Sequence, residues 1–126
     1  MADRELVIGA GFTFVNQEAP GIPSHLWVVA SDPDAAGRVL LVSISSQRGE
    51  IDIEVRFIKG DHPFISRPSF LRVDKVRVGQ AAMVEEGLRK HVIVRSRDAT
   101  AEMLSRAVQA LRASRLVSAE AKALLR

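Results

Sequence analysis

Residues 38–47, RVLLVSISSQ, are the most informative stretch of the chain, because an apolar run changes there into small polar residues. A short run rich in Val, Leu and Ile between turn-forming residues is typical of a buried strand. We therefore predict a central strand that ends at Ser45, Ser46 and Gln47. These side chains would either hold a polar ligand on a rigid scaffold or simply begin a turn at the surface.

Two β-prone segments precede the central strand. Residues 11–15 alternate between glycine or threonine and larger apolar residues, and residues 25–30 form a second apolar run. The segment between them, residues 16–24, is dense in turn formers and predicts a loop. Asp32 and Pro33 mark the turn after the second strand.

Three further strands are predicted after the central one. Residues 51–58 alternate strictly between apolar and charged positions, which is typical of a half-buried antiparallel strand. Residues 69–78 form another strand pattern, with a slip at Asp74-Lys75 that predicts a bulge or bend. Residues 91–95 predict a last short strand, and residues 81–86 a helical turn ended by Gly87.

The C-terminal part predicts one clear amphipathic helix. Asp98 is the expected N-cap and Glu102 suits the first turn. The apolar stripe consists of Met103, Leu104, Ala107, Val108 and Leu111. Ser118 is expected to cap a second short helical stretch over residues 119–126 that frays at its end.

Five or six short strands followed by a terminal helix predict a mainly β fold, a small antiparallel barrel with a helix packed on it. A chain of 126 residues with 47% hydrophobic and 26% charged residues suits one folded domain. We assign residues 1–126 to this domain, with the barrel over about 10–95 and the helical part over about 98–126.

The charge and the cysteine content limit which partners and which kinds of site are expected. The 18 Lys and Arg residues against 15 Asp and Glu give a net charge of +3, which permits an acidic or nucleic-acid partner without requiring one. The absence of cysteine excludes disulfides, thiolate metal sites and cysteine nucleophiles. The apolar stretch at residues 6–9 is too short for a signal peptide or a membrane span, so we expect a cytoplasmic protein.

Several motifs in this order resemble the MazF/PemK-type toxins. They are the leading glycine–aromatic strand, Ser31-Asp32 after an apolar strand, Ile44-Ser45-Ser46-Gln47, the strand that begins at Ser69, and the terminal helix. The resemblance covers about residues 10–113. It implies an SH3-like barrel with a C-terminal helix, a homodimer, and metal-independent cleavage of single-stranded RNA that an acidic antitoxin protein neutralises.

The resemblance also assigns residues, with one departure. The family's hydroxyl in the Ile-Thr/Ser element corresponds to Ser45. The arginine that usually opens the second strand has no counterpart, because Ser24 and His25 stand there. The alternative is therefore a non-catalytic protein- or nucleic-acid-binding module on the same SH3-like fold.

Metal-independent RNA cleavage needs a base, an acid and donors to the phosphate. Histidine titrates near neutrality and can move either proton. We predict His25, Ser45 and His62 as catalytic residues, with His25 in place of the missing arginine. The alternative for each histidine is a local hydrogen bond within its loop. The expected RNA-binding residues are Ser46, Gln47, Arg67, Arg72 and Phe64, the last as an exposed loop aromatic that stacks on a base.

The sequence predicts neither a metal site nor a cofactor. Asp32-Pro33-Asp34 and Asp61-His62 lack the ligand spacing of zinc sites, and no glycine-rich phosphate loop precedes a helix.

Overall fold

The computed structural model describes the backbone of residues 11–14 and both backbone and side chains of residues 26–125. Over these residues it contains seven strands, three α-helices and one 3₁₀ turn. The strands are β1 (Gly11–Phe14), β2 (Leu26–Val29), β3 (Arg38–Ser45), β4 (Arg56–Phe57), β5 (Ser69–Leu71), β6 (Arg77–Gln80) and β7 (Ile93–Arg95). The helices are α1 (Ala81–Arg89), α2 (Ala101–Ala113) and α3 (Ala119–Ala123), and the 3₁₀ turn is Val73–Lys75.

Strand β3 is the centre of a single antiparallel sheet. One edge pairs with β2, from Leu26 opposite Ile44 to Val29 opposite Leu41. The other edge pairs first with β6 and then with β5, which meets β3 at Ile44 and Ser45. The predicted central strand is confirmed, since β3 is the only described strand with three strand partners.

The sheet is open where a closed barrel was expected. Its strand order is β4-β5-β3-β2-β1-β7, and β4 and β7 do not pair with each other in the described part of the chain. These two end strands have only two and three residues, so they offer little backbone for closure. With three helices added, the observed architecture is an antiparallel sheet in a mixed α/β arrangement.

Both faces of β3 are buried, which explains its uninterrupted apolar run. Leu40, Val42 and Ile44 contribute to a first core, which also contains residues of α2 and α3. Val39 and Leu41 contribute to a second core on the other face. The second core is completed by Trp27, Val29, Ala81, Val84 and Ile93.

The predicted strand over residues 51–58 is observed only as the two residues of β4. The alternation is nevertheless kept in burial, because Ile51 and Phe57 are buried while Asp52 is exposed. Asp52 instead holds the end of α2: its carboxylate accepts hydrogen bonds from Ser114 Oγ (2.6 Å) and the Arg115 amide (2.7 Å). The pattern correctly predicted the burial of Ile51 and Phe57, but most of the segment has no strand partner among the described residues.

The segment after β5 bends where the slip was predicted. The bend is the 3₁₀ turn Val73–Lys75, which separates β5 from β6. The following helix α1 is longer than expected and contains Gly87 rather than ending there. A Cβ on Gly87 would lie 2.6 Å from Ile93 Cδ1, so this glycine lets β7 pack against the helix. His91 belongs to the turn after α1, with φ of +59°, and not to a strand.

Helix α2 carries the predicted apolar stripe, with Met103 and Leu111 buried in the first core. Its N-cap is Thr100, whose Oγ1 accepts a hydrogen bond from the Met103 amide at 3.1 Å. The predicted cap, Asp98, lies before the helix and pairs with Arg95. The helix is thus capped two residues later in the chain than predicted, at Thr100 instead of Asp98.

Helix α3 begins at the predicted cap, where Ser118 Oγ accepts a hydrogen bond from the Ala121 amide. The helix ends at Ala123, whereas the predicted helical stretch ran to residue 126. Ala121 and Leu125 are buried in the first core, and Arg112 donates a hydrogen bond to the Leu125 carbonyl at 2.9 Å. None of the helices described is both long and apolar enough to cross a membrane.

Candidate functional site at the hydroxyl end of β3

Of the polar residues at the end of β3, some are buried and others lie at the surface. Ser45 is buried, whereas Ser46 and Gln47 are exposed. Ser45 Oγ accepts a hydrogen bond from the Gln47 amide at 3.1 Å, which folds the chain into a turn. The hydroxyl proton of Ser45 is not used in that bond and remains available for donation.

Three side chains form a row across the sheet beside this turn. Ser45 on β3 lies opposite Phe70 on β5, and Phe70 lies opposite Arg56 on β4. Directly paired residues of an antiparallel sheet share a face. The Arg56 guanidinium is 5.3 Å from the centroid of the Phe70 ring. The row therefore combines a hydroxyl, an aromatic ring and a cation on one face of the sheet.

Arg72 holds the loop that follows β3. Its Nε and Nη2 donate to the two carboxylate oxygens of Asp74 at 2.8 and 2.9 Å, and its Nη1 donates to the Gln47 carbonyl at 3.4 Å. Asp74 also accepts from the Glu50 amide at 3.2 Å. Gly49, with φ of +72°, makes room for the Arg72 guanidinium, because a Cβ at this position would lie 2.5 Å from Nη2.

The Arg72–Asp74 pair is nearly buried, with side-chain exposures of 11% and 15%. The hydrogen bonds from Arg72 lower the pKa of Asp74 below its usual value, and those to Asp74 raise the pKa of Arg72. All three guanidinium nitrogens of Arg72 are engaged, so this predicted RNA-binding residue acts first as a clamp on residues 47–50.

Two exposed arginines share one carboxylate at the same end of the sheet. Glu54 accepts a hydrogen bond from Arg48 Nε at 3.0 Å and from Arg56 Nη2 at 3.1 Å. The bond from Arg48, with the charge of Arg56, lowers the pKa of Glu54. One negative charge against two positive charges leaves a positive surplus beside the row.

His62 is buried, and both its ring nitrogens meet backbone groups. Nε2 lies 2.7 Å from the Arg97 carbonyl, to which it donates, and Nδ1 accepts from the Phe64 amide at 3.0 Å. These bonds order the loop between β4 and β5. Phe64 is half-buried against the first core and is not the exposed loop aromatic expected from sequence.

His25 lies outside the described residues. Its neighbour Leu26 pairs with Ile44, the residue before Ser45, so the chain enters β2 beside the hydroxyl end of β3. Arg67 is exposed, and its side chain makes no ion pair with any residue in the described segments.

The structure thus brings Ser45, Gln47 and Arg72 together, while His62 is committed to hydrogen bonds with the backbone of Phe64 and Arg97. Sequence reasoning selected Phe64 as the stacking aromatic and did not place Phe70 or Arg56 in the site. Their signal is the pairing register of β3, β5 and β4, which no single segment reveals.

A concavity of about 530 Å³ lies away from this site, between the turn after β2 and the helices α2 and α3. Its charged groups are largely paired: Asp34 binds Arg38 at 2.9 Å, and Arg112 donates to the Leu125 carbonyl. Hydrogen bonding from the Arg38 amide lowers the pKa of Asp34. Within residues 26–125, no three carboxylate or imidazole side chains come together so that they could hold a metal ion.

Comparison with protein-family models finds no matching family. Comparison with curated proteins likewise finds no match.

Proposed function

We propose that this protein is a toxin-like endoribonuclease built on the open antiparallel sheet, which cleaves single-stranded RNA without a metal at the hydroxyl end of β3. The observation that carries the proposal is the β2–β3 register. Leu26 opposite Ile44 brings the start of β2, which His25 precedes, to the strand end that carries Ser45. The resemblance of residues 10–113 to the MazF/PemK-type toxins supports the same site.

The proposed chemistry uses the 2′-hydroxyl of the RNA as the nucleophile. His25 takes the proton of the 2′-OH, the 2′ oxygen forms a bond to phosphorus, and the bond from phosphorus to the 5′ oxygen breaks. The departing 5′ oxygen takes up a proton from solvent water, and the attack of the 2′ oxygen leaves a 2′,3′-cyclic phosphate. Ser45 donates its free hydroxyl proton to a phosphate oxygen, where negative charge develops. Because Ser45 is buried, RNA reaches it only after the chain around it shifts.

The arginine in this scheme is Arg56 or Arg48 rather than Arg72. Both are about half exposed and share Glu54, so a phosphate can replace one of the two contacts of that carboxylate. Arg72 would have to leave Asp74, and His62 would have to break two backbone hydrogen bonds to move a proton.

The test is cleavage of single-stranded RNA in EDTA by the wild type, His25→Ala and Ser45→Ala. We expect His25→Ala to lower the rate about 10²–10⁴-fold, with an unchanged melting temperature. His91→Ala is the matched control, because His91 is exposed in the turn after α1. A wild type that leaves RNA intact would overturn the proposal. Equal rates for wild type and His25→Ala would remove His25 from the mechanism and leave the ribonuclease itself standing.

The second candidate function is a protein- or nucleic-acid-binding module without cleavage. The commitment of His62 and Arg72 to intramolecular hydrogen bonds favours it, because neither is free for catalysis in this conformation. Retention of RNA by the wild type without any cleavage products would identify this function.

The proposed setting is the cytoplasm, with an acidic antitoxin protein as inhibitor and a homodimer as the active species. The dimer is supported by the half-exposed Val94 on β7 and Val92 just before it, because β7 pairs only with β1 among the described strands. Sedimentation at micromolar concentration tests the dimer, and a single species of 13.8 kDa would refute it.

A neighbouring reading frame that encodes a small acidic protein would support the proposal of an antitoxin partner.

A further inference from the structure

The row Ser45, Phe70 and Arg56 extends from the proposed phosphate contact to the edge of the sheet. Adjacent strands lie about 4.8 Å apart, so the row spans roughly 10 Å. Its members occur in the order hydroxyl, ring and guanidinium.

Phe70 differs from the residues on either side of it. Ser69 and Leu71 are buried, whereas Phe70 is only half-buried although it is the largest of the three. Its ring packs partly against the first core, and the Arg56 guanidinium lies over it, 5.3 Å from its centroid. Arg56 is itself 53% exposed, so about half of its side chain is accessible to a ligand.

The arrangement of the Arg56 guanidinium over the Phe70 ring matches the chemistry of base recognition. Bases of single-stranded RNA stack on aromatic rings and on guanidinium planes, and such stacking tolerates every base. The positive surplus left by Arg48 and Arg56 against Glu54 suits the adjoining phosphate.

We propose that Phe70 and Arg56 form a base-stacking subsite for the nucleotide next to the phosphate at Ser45. This inference rests on the RNA-binding function proposed above. It adds two residues that the sequence did not select, and it places the neighbouring base over the β5–β4 edge of the sheet.

The experiment measures binding of a short fluorescein-labelled 2′-O-methyl oligouridylate by anisotropy, since that RNA lacks the free 2′-OH needed for cleavage. A second oligomer carries the same backbone without bases. The wild type is expected to bind the oligomer with bases more tightly. Phe70→Leu and Arg56→Met should each weaken binding about five- to 150-fold, the range expected for the loss of one stacked base. Phe70→Trp should retain affinity, and its new indole should be quenched when RNA is added.

Arg77→Met is the matched control. Arg77 is another exposed sheet arginine that lies over an aromatic ring, 5.6 Å from the centroid of Trp27, and it is opposite Leu41, four residues along β3 from Ser45. Equal losses for Arg56→Met and Arg77→Met would indicate general charge attraction and overturn the subsite. Wild-type affinity for Phe70→Leu, or equal affinity of the wild type for both oligomers, would also overturn it. The comparison of oligomers decides the matter even if Phe70→Leu fails to fold.

The outcomes separate this inference from the ribonuclease proposal. Base-dependent binding that Phe70→Leu weakens, without cleavage of ordinary RNA, keeps the subsite and removes the enzyme. Cleavage without base-dependent binding keeps the enzyme and removes the subsite. A wild type that binds no RNA removes both.

Discussion

At the scale of single residues, partners decide what a chemically suitable side chain does. His62 and Arg72 have the side chains that RNA chemistry needs, yet both are committed to hydrogen bonds within the protein. Arg56, which the sequence analysis did not select, lies over an aromatic ring at the candidate site. Residue type indicated the possible chemistry, and only the neighbours show which groups are open to a ligand.

The Arg72–Asp74 clamp gives the first stability prediction. Asp74→Asn should lower the free energy of unfolding by about 1.5–3 kcal/mol, because it removes charge-assisted hydrogen bonds from a nearly buried guanidinium. Arg72→Met with Asp74→Asn should recover part of that loss, because no buried charge is then left unpaired. Urea denaturation of the wild type and the variants measures both values. A double variant less stable than Asp74→Asn alone would contradict the explanation.

The same pair predicts a pH dependence. The lowered pKa of Asp74 means that its contribution to stability is fully present above the unfolded-state pKa, near 3.8. That contribution is lost as the pH falls through the lower folded-state pKa. The stability difference between wild type and Asp74→Asn should therefore stay constant near neutrality and shrink below about pH 4. An undiminished difference in more acidic solution would show that Arg72 does not lower this pKa.

Alanine substitutions at Gly49 and Gly37 distinguish the stability cost of backbone strain from that of a steric clash. Both have φ between +70° and +80°, but a Cβ would lie 2.5 Å from Arg72 at Gly49 and 3.4 Å from Gln80 at Gly37. Gly37→Ala should cost about 1–2 kcal/mol for the left-handed conformation alone. Gly49→Ala should cost more, because the methyl group displaces Arg72. Equal losses in thermal or urea unfolding would mean that the guanidinium moves away freely.

At the scale of elements, side-chain periodicity predicted faces better than it predicted boundaries. The alternation over residues 51–58 matches the observed burial, although only Arg56–Phe57 is a strand. The predicted helix α2 has its stripe in the first core but begins at a different cap. Faces depend on local spacing, whereas boundaries depend on which backbone groups find partners.

The cap of α2 provides a direct test at this scale. Thr100→Ala should lower the free energy of unfolding by about 0.5–2 kcal/mol, because the Met103 amide loses its acceptor. Asp98→Ala should cost less than about 1 kcal/mol, since the contact of Asp98 with the described residues is an exposed ion pair with Arg95. Thermal unfolding of both variants checks the order. A larger loss of stability for Asp98→Ala than for Thr100→Ala would show that Asp98 is the cap, as the sequence predicted.

At the scale of the whole molecule, two cores share the same strands. Consecutive residues of β3 alternate between the first core, as at Leu40, and the second, as at Val39. Neither core can therefore lose its packing without disturbing the strands that support the other. The proposed RNA site lies at one end of this shared layer, where Ser45 ends β3.

This arrangement predicts one cooperative unfolding transition. Leu111→Ala in the first core should cost about 2–5 kcal/mol. It should also shift the transition of Trp27 fluorescence, which reports on the second core, by the same amount as far-ultraviolet circular dichroism. Leu116→Ala is the control, because Leu116 is 49% exposed. Two separate transitions in Leu111→Ala would show that the cores unfold independently.

The sequence by itself determined the local features of this protein. The run at residues 38–45 specified the central strand, the stripe from Met103 to Leu111 specified the buried face of α2, and Ser118 specified the cap of α3. These features follow from period, propensity and capping chemistry, which act over a few neighbouring residues.

Only the tertiary structure decided the open sheet, the two cores and the make-up of the candidate site. The contacts of Arg72 with Asp74 and Gln47, of His62 with Arg97, and of Phe70 with Ser45 and Arg56 depend on how separate segments come together. A one-residue change of strand register would move every side chain of a strand to the opposite face. Local patterns do not specify that register between distant segments, so the row across the sheet becomes visible only in the folded chain.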